Sequence, residues 1–153
     1  MILAGDVGGT KCNLALFAEK NGKLEFVFRE RFASKEFAQF DLIIREFLRR
    51  AAPHLGNQKL CAAGFGVAGP VINNRIHATN LPWIVDADTL AREVGVKSVV
   101  LLNDLGATGH SLGHLPPDAF SQHCVIWSRH FLPHVCFDSV VRSRRVNWQD
   151  GVN

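Results

Sequence analysis

The order of apolar patterns along this chain predicts an α/β fold, a mixed five-stranded sheet with helices on its faces. Three observations predict it. The N-terminal stretch holds three strand-like runs joined by glycine turns. One apolar stripe at spacings of three and four follows it. Two further apolar runs then appear, each preceded by helical sequence, so each enters the sheet by a helical crossover. The order is β-β-β-α-β-loop-α-β-α, with three antiparallel strands leading into strands that are parallel.

Each element has its own local cause. Ile2 to Asp6 is a short apolar strand ending on an acid, and Gly8-Gly9 turns it into Cys12 to Phe17, with Leu14 and Leu16 on one face. Asn21-Gly22 is a second hairpin turn, and Leu24 to Phe32 returns as a third strand with Leu24, Phe26 and Phe28 on one face. Ser34 is placed to cap a helix whose first turn holds Glu36. Its stripe is Phe37, Phe40, Ile44, Phe47, Leu48 and Ala51, with Asp41–Arg45 and Glu46–Arg50 as exposed i,i+4 pairs and Pro53 as its stop. The small residues from Leu60 to Val67 suit a strand squeezed between two layers. Gly69-Pro70 ends it, and an irregular stretch follows with room for one short strand near 71–78. Asp86 caps a second helix, with Leu90, Ala91 and Val94 inward and Gly95 closing it. Ser98 to Leu102 lacks alternation, which predicts a strand covered on both faces, and a helix is expected from Asp104 to Leu112.

Composition narrows the class. At 153 residues the chain has room for one domain of ordinary size, and 47% hydrophobic with 20% charged residues excludes a disordered or collagen-like chain. No apolar run approaches the roughly 20 residues of a membrane span. The start, Met1-Ile2-Leu3-Ala4-Gly5-Asp6, lacks a basic n-region, so a cytoplasmic location is expected. Residues 1–120 carry 13 basic and 12 acidic side chains, too near neutrality for a dedicated nucleic-acid surface. The four cysteines show no CxxC spacing and are expected as reduced thiols. Residues 121–153 differ in composition: they contain neither Lys nor Glu, yet hold two of the three Trp residues. A domain over 1–120 and a poorly ordered, divergent tail over 121–153 are therefore expected.

Four motifs could carry chemistry. Gly5-Asp6-Val7-Gly8-Gly9-Thr10-Lys11 lies between two strands and is not a Walker loop. Its N–H groups can approach a phosphate, and Asp6 can hold Mg²⁺ through water; an ordinary hairpin turn accounts for the glycines equally well. Gly64-Phe65-Gly66-Val67-Ala68-Gly69 spells GxGxxG, but Pro70 to Asn74 has no helical pattern, so a dinucleotide fold is rejected. Asn103-Asp104 ends a buried parallel strand, where open α/β sheets place ligands. The Asp can take a proton from a hydroxyl that the Asn fixes, or the pair can simply cap the next helix. Thr79-Asn80-Leu81-Pro82-Trp83 suits either a sugar-contacting loop or a turn with Trp83 packed inward. Cys124, His130, His134 and Cys136 match no standard zinc spacing, and His110 and His114 lack the Glu of an HExxH motif.

Taken in order, Gly5-Asp6-Val7-Gly8-Gly9-Thr10, then Gly66 to Val71 with Thr79 to Trp83, then Leu102-Asn103-Asp104-Leu105-Gly106-Ala107-Thr108-Gly109 resemble the bacterial glucokinase family of the actin/hexokinase-like ATPase superfamily. The resemblance covers residues 1–120. It implies an RNase H-like (actin-like ATPase) lobe that binds ATP phosphates and one side of glucose. It implies Asp104 as the catalytic base toward the sugar 6-hydroxyl, Asn103 and Asn80 as sugar contacts, and Gly5, Asp6, Val7, Gly8, Gly9 and Thr10 as the ATP phosphate loop, with Asp6 near Mg²⁺. Members of the family carry a second lobe for adenosine and for the other side of the sugar, and residues from Ser121 onward do not match it. Two expectations follow: a glucokinase inactive without that lobe, or a non-catalytic sugar-kinase remnant. In either case the bared inter-lobe face would invite self-association.

Overall fold

The computed structural model describes residues 1–112, and of these Met1–Gly109 form one compact body. The expected tail at 121–153 and the Cys124, His130, His134, Cys136 set lie outside the described residues, as does His114. The main sheet contains β1 (Ile2–Val7), β2 (Lys11–Lys20), β3 (Lys23–Ala33), β4 (Ala62–Val67) and β8 (Val99–Asn103), in the order β3-β2-β1-β4-β8. β1 pairs antiparallel with β2 and β2 with β3, while β1–β4 and β4–β8 are parallel. This is the mixed five-stranded sheet that the sequence predicts.

Helices α1 (Phe40–Leu55) and α2 (Ala87–Val94) cover one face of it. Alternation on the strands supplies the other half of that core: Leu3 and Val7, Cys12, Leu14 and Leu16, then Ala63, Phe65 and Val67 are all buried. The α1 stripe meets them through Phe40, Ile43, Ile44, Phe47 and Ala51, with the Phe40 and Phe65 rings edge-to-face at 5.3 Å. Helix α3 (Asp104–Leu112) begins on the opposite face, where a Cβ added to Gly66 would meet the Ala107 Cβ at 3.0 Å.

Five local expectations are corrected. First, Leu24 and Phe26 do not share a face with Phe28. The register passes from Leu16 opposite Phe28 to Phe17 opposite Phe26, so Val27 is an extra residue in a bulge, and the side chains beyond it change face. Phe28 packs on Phe47 and His54, while Leu24 and Phe26 remain 57% and 49% exposed. Second, Ser34 caps no long helix; it opens a single 3-10 turn, Ser34–Glu36, and α1 starts six residues later with Gln39 at its N-cap. Third, Pro53 lies inside α1, which runs on to Leu55 before Gly56 ends it at φ 55°. A proline in the last turn removes one hydrogen bond without breaking the helix ahead of it. Fourth, Arg45 does not pair with Asp41 but grips Glu93 of α2 with two bonds of 2.9 and 2.6 Å, whereas the expected Glu46–Arg50 pair forms at 2.7 Å. Fifth, β8 is an edge strand among the described residues and is not covered on both faces, since Val100 is 54% exposed.

The stretch after β4 is more regular than its sequence suggests. β5 (Val71–Ile72), β6 (Arg75–His77) and β7 (Ile84–Asp86) form a second antiparallel sheet. Asn73 and Asn74, both at positive φ, make the two-residue turn between β5 and β6. Asp86 caps α2 as expected, its Oδ1 accepting from the Thr89 N–H at 2.8 Å, and Gly95 closes the helix at φ 74°. No helix among the described residues is long and apolar enough to cross a membrane.

Candidate functional site

The parallel strands end in one row. Val7 is in register with Val67, and Val67 with Asn103. Gly8, Ala68 and Asp104 are therefore the first residues beyond the same edge of the sheet, the carboxyl edge where open α/β sheets take ligands. The three matching segments, scattered in sequence, meet here. The Ala68 N–H donates to Val7 O at 3.2 Å and the Thr79 N–H to Ala68 O at 2.9 Å, which carries the Thr79-Asn80 loop to the β1 end.

The Gly8-Gly9-Thr10 loop belongs to this edge because of close approach, not because of unusual dihedrals; neither glycine is at positive φ. A Cβ on Gly9 would sit 3.3 Å from Thr79 O and 3.5 Å from the Asn80 Cβ. Asn80 itself is exposed, in the left-handed region at φ 66°. Gly8 N–H donates to Lys11 O at 3.0 Å, whereas the Gly9 and Thr10 N–H groups have no partner among the described residues. Those two donors, with the exposed Thr10 and Lys11 side chains beside them, fit a phosphate.

Asp6 sits at the end of a polar ladder that the sequence reading missed. Asp6, Asn13 and Arg31 are in register across β1, β2 and β3. Asn13 Nδ2 donates to Asp6 Oδ2 at 3.1 Å, and Arg31 Nε donates to Asn13 Oδ1 at 3.0 Å. The hairpin register carried the signal, since a turn closing Val7 onto Cys12 puts Asn13 opposite Asp6. One carboxylate oxygen is thus engaged and the carboxylate stays exposed. That suits a cation held through water; among the described residues no group of three His, Cys, Asp or Glu could cage a metal ion. Below the loop, burial pushes the Cys12 thiol up to about 11, opposed by the Ser34 hydroxyl 3.6 Å away, whose proton goes to the nearer Gly8 O, and aided by the Asp6 charge, so this buried cysteine is a packing residue and not a nucleophile.

Asn103 and Asp104 serve the capping use that their sequence suggests. Leu105 N–H donates to Asp104 Oδ1 at 2.9 Å and to Asn103 Oδ1 at 3.1 Å, so both side chains cap α3. Asn103 Nδ2 also donates to Gly69 O at 2.8 Å and ties β8 to the end of β4. Gly69 adopts φ 150°, and a Cβ there would meet His77 O at 2.5 Å. Asp104 keeps Oδ2 without a hydrogen bond among the described residues, and its side chain is half-buried at the edge of the sheet. Trp83 packs inward, 2% exposed with Nε1 donating to Phe37 O at 3.2 Å, so it offers no plate to a sugar. The rejected GxGxxG is explained too: β4 runs into the β5 hairpin, and Gly66 is the seat of α3.

An RNase H-like sheet with a glycine loop after β1 and an Asn-Asp pair after its last parallel strand has the form of one lobe of the actin-like ATPase fold. Solved structures share that fold. A glucokinase from an Antarctic psychrotroph superposes with a TM-score of 0.66 at 22% identity, covering 78% of this chain and 37% of that one. A ROK family glucokinase from Streptomyces griseus, in complex with glucose and AMPPNP, gives 0.52 at 23% identity, covering 71% and 34%. The sequence model of the glucokinase family matches residues 3–130, and the chain belongs to that family. The glucokinase of Trichormus variabilis is 35% identical over 113 residues, 73% of this chain and 32% of the relative. The chain spans about a third of the length of the curated relatives it matches.

Proposed function

We propose that this chain is the N-terminal lobe of a glucokinase that transfers the γ-phosphoryl group of ATP to the 6-hydroxyl of glucose, giving glucose 6-phosphate for glycolysis in the cytoplasm. The observation that carries the reading is the shared edge, at which the Gly8-Gly9-Thr10 loop, Thr79-Asn80 and Asn103-Asp104 meet. The complex of the Streptomyces griseus glucokinase with glucose and AMPPNP supports these ligand classes.

In this reading Gly5, Asp6, Val7, Gly8, Gly9 and Thr10 form the phosphate loop, and the outward N–H groups of Gly9 and Thr10 hold phosphate oxygens. Asp6 would hold Mg²⁺ through water. Mg²⁺, when bound, neutralises charge on the transferring phosphate. Asn80 and Asn103 hydrogen-bond sugar hydroxyls; the second Nδ2 proton of Asn103 serves, since the first is given to Gly69 O. Asp104 accepts the 6-hydroxyl proton on Oδ2 as the sugar oxygen forms its bond to phosphorus and the bond to the ADP oxygen breaks. Oδ1 stays on the Leu105 N–H and fixes the carboxylate plane.

Residues 1–120 act as the catalytic lobe and residues 121–153 as a divergent tail. The test is a chimera of residues 1–120 with the remainder of the Trichormus variabilis glucokinase. Asp104→Ala should cut its turnover by about 10²–10⁴-fold with the fold intact. Near-normal turnover would remove Asp104 from the mechanism. A second reading is a non-catalytic lobe that binds glucose or Mg-ATP weakly, since the Asn103 and Asp104 side chains are also accounted for as caps of α3. Calorimetric titration of the chain with each ligand, beside a coupled phosphorylation assay, separates the two.

A further inference from the structure

We propose that Ser34 is a positioning residue of the phosphate loop, holding the Gly8 carbonyl away from the ligand so that the Gly9 N–H faces outward. The proposal rests on the phosphate-loop reading given above. Ser34 is fully buried and is the one buried polar residue among those described. It lies 26 residues from Gly8 in sequence, at the end of β3, yet its Oγ donates to Gly8 O at 2.7 Å. Its own N–H donates to Thr10 O at 3.0 Å. One residue therefore takes up two of the carbonyl oxygens in a turn of three residues.

The consequence follows from the planarity of the peptide unit. The C=O of one residue and the N–H of the next point in opposite directions in one plane. With Gly8 O fixed on Ser34, the Gly9 N–H must point away from Ser34, toward the open side of the edge. A Gly-Gly peptide is the one most easily turned over, because neither residue has a Cβ to resist it. Flipped, it would present a carbonyl oxygen to the site and repel an anion. The Ser34 hydroxyl is the group that opposes the flip. Donors fixed in place before the ligand arrives cost nothing to reorganise, which is where such a device gains its effect.

The test uses the full 153-residue chain, ¹⁵N-labelled, titrated with sodium tripolyphosphate and followed at the Gly9 and Thr10 amide signals. Ser34→Cys, kept under reductant because Cys12 Sγ lies 3.6 Å from Ser34 Oγ, is nearly isosteric and keeps the site filled while weakening the donor; Ser34→Ala removes it. Both should weaken tripolyphosphate binding by about tenfold, the loss expected for one hydrogen bond that orients a loop. Thermal unfolding of the same samples separates positioning from packing. Ser34→Cys should weaken binding with its midpoint near that of the wild type. Wild-type affinity in the folded Ser34→Cys chain overturns the proposal and leaves the phosphate loop standing. A wild-type chain whose Gly9 and Thr10 signals do not move overturns the phosphate-loop reading, and the Ser34 role with it. If Ser34→Ala fails to fold, Ser34→Cys alone decides.

Discussion

At the scale of single residues, the side chains that organise this lobe are polar groups with two partners each. Asn103 joins β8 to Gly69 while capping α3, Asn13 joins Arg31 to Asp6, and Asp86 caps α2 while pairing with Arg75. Asp86 is the case where such double use gives a pH signature. The Thr89 N–H, then the Arg75 guanidinium, hold its carboxyl down to about 2. The folded value lies below the unfolded one of about 3.9, so the stabilisation is fully present above that pH and lost as pH falls toward about 2. Asp86→Ala should cost about 1 kcal/mol at neutral pH, the usual loss for an N-cap. In urea melts its deficit should shrink steadily between about pH 4 and pH 2. A deficit that stays constant over that window would show that the carboxylate charge contributes nothing.

Elements show where sequence reading succeeds and where it stops. The stripe of α1 was legible because burial on one face repeats from Phe40 to Ala51, and the alternation of β2 because Cys12, Leu14 and Leu16 follow one another on the buried face. The β3 bulge was not, since Val27 is apolar like its neighbours and nothing in a run of apolar residues marks the extra one. β5, β6 and β7, of two or three residues each, are too short for a period to show; the Asn73-Asn74 turn was the available signal. Of the site, the loop and the Asn-Asp pair were legible as motifs. Ser34 was not, because its partners Gly8 and Thr10 are set by tertiary placement; the Asp6–Asn13 step followed from the β1–β2 hairpin register, but the Asn13–Arg31 step lies beyond the β3 bulge that no local spacing marks. Gly66 tests the placement of α3. A side chain there would strike Ala107 and, at 3.9 Å, reach the Asp104 Cα, whereas one on Gly64 would meet only Val100 O at 3.9 Å. Gly66→Val should cost about 1–3 kcal/mol through overpacking and should speed amide exchange in α3. Gly64→Ala should leave α3 exchange unchanged. Equal behaviour of the two variants would mean that α3 does not rest on β4.

The whole molecule poses a question of completeness. One face of the sheet is sealed by α1 and α2, while the other shows Leu24, Phe26 and Val100 to solvent, and Leu105 at the start of α3 is 75% exposed. Leu24 and Phe26 lie side by side on β3, the pair of exposed apolar side chains best placed to make a contact between copies of the chain. In the proposed reading the site offers a base, a phosphate loop and two amides along one edge, and the described residues supply no opposing wall to exclude water or fix the far side of the substrates. Aligned positioning contributes roughly 7–11 kcal/mol in well-ordered reactions. An ordinary turnover of about 10 s⁻¹ that lost most of this would fall below detection. The purified chain should therefore show no glucose phosphorylation above blank in a coupled assay. Light scattering after size exclusion should show it as dimers or larger species whose population rises with concentration. Replacing Leu24 and Phe26, which pack on no helix, by Lys should return it to monomer without altering its unfolding midpoint by more than a few degrees. A monomeric wild-type chain would refute the self-association, and robust phosphorylation abolished by Asp104→Ala would refute the inactivity. That second result would mean that the opposing wall comes from this same chain or from a second copy of it.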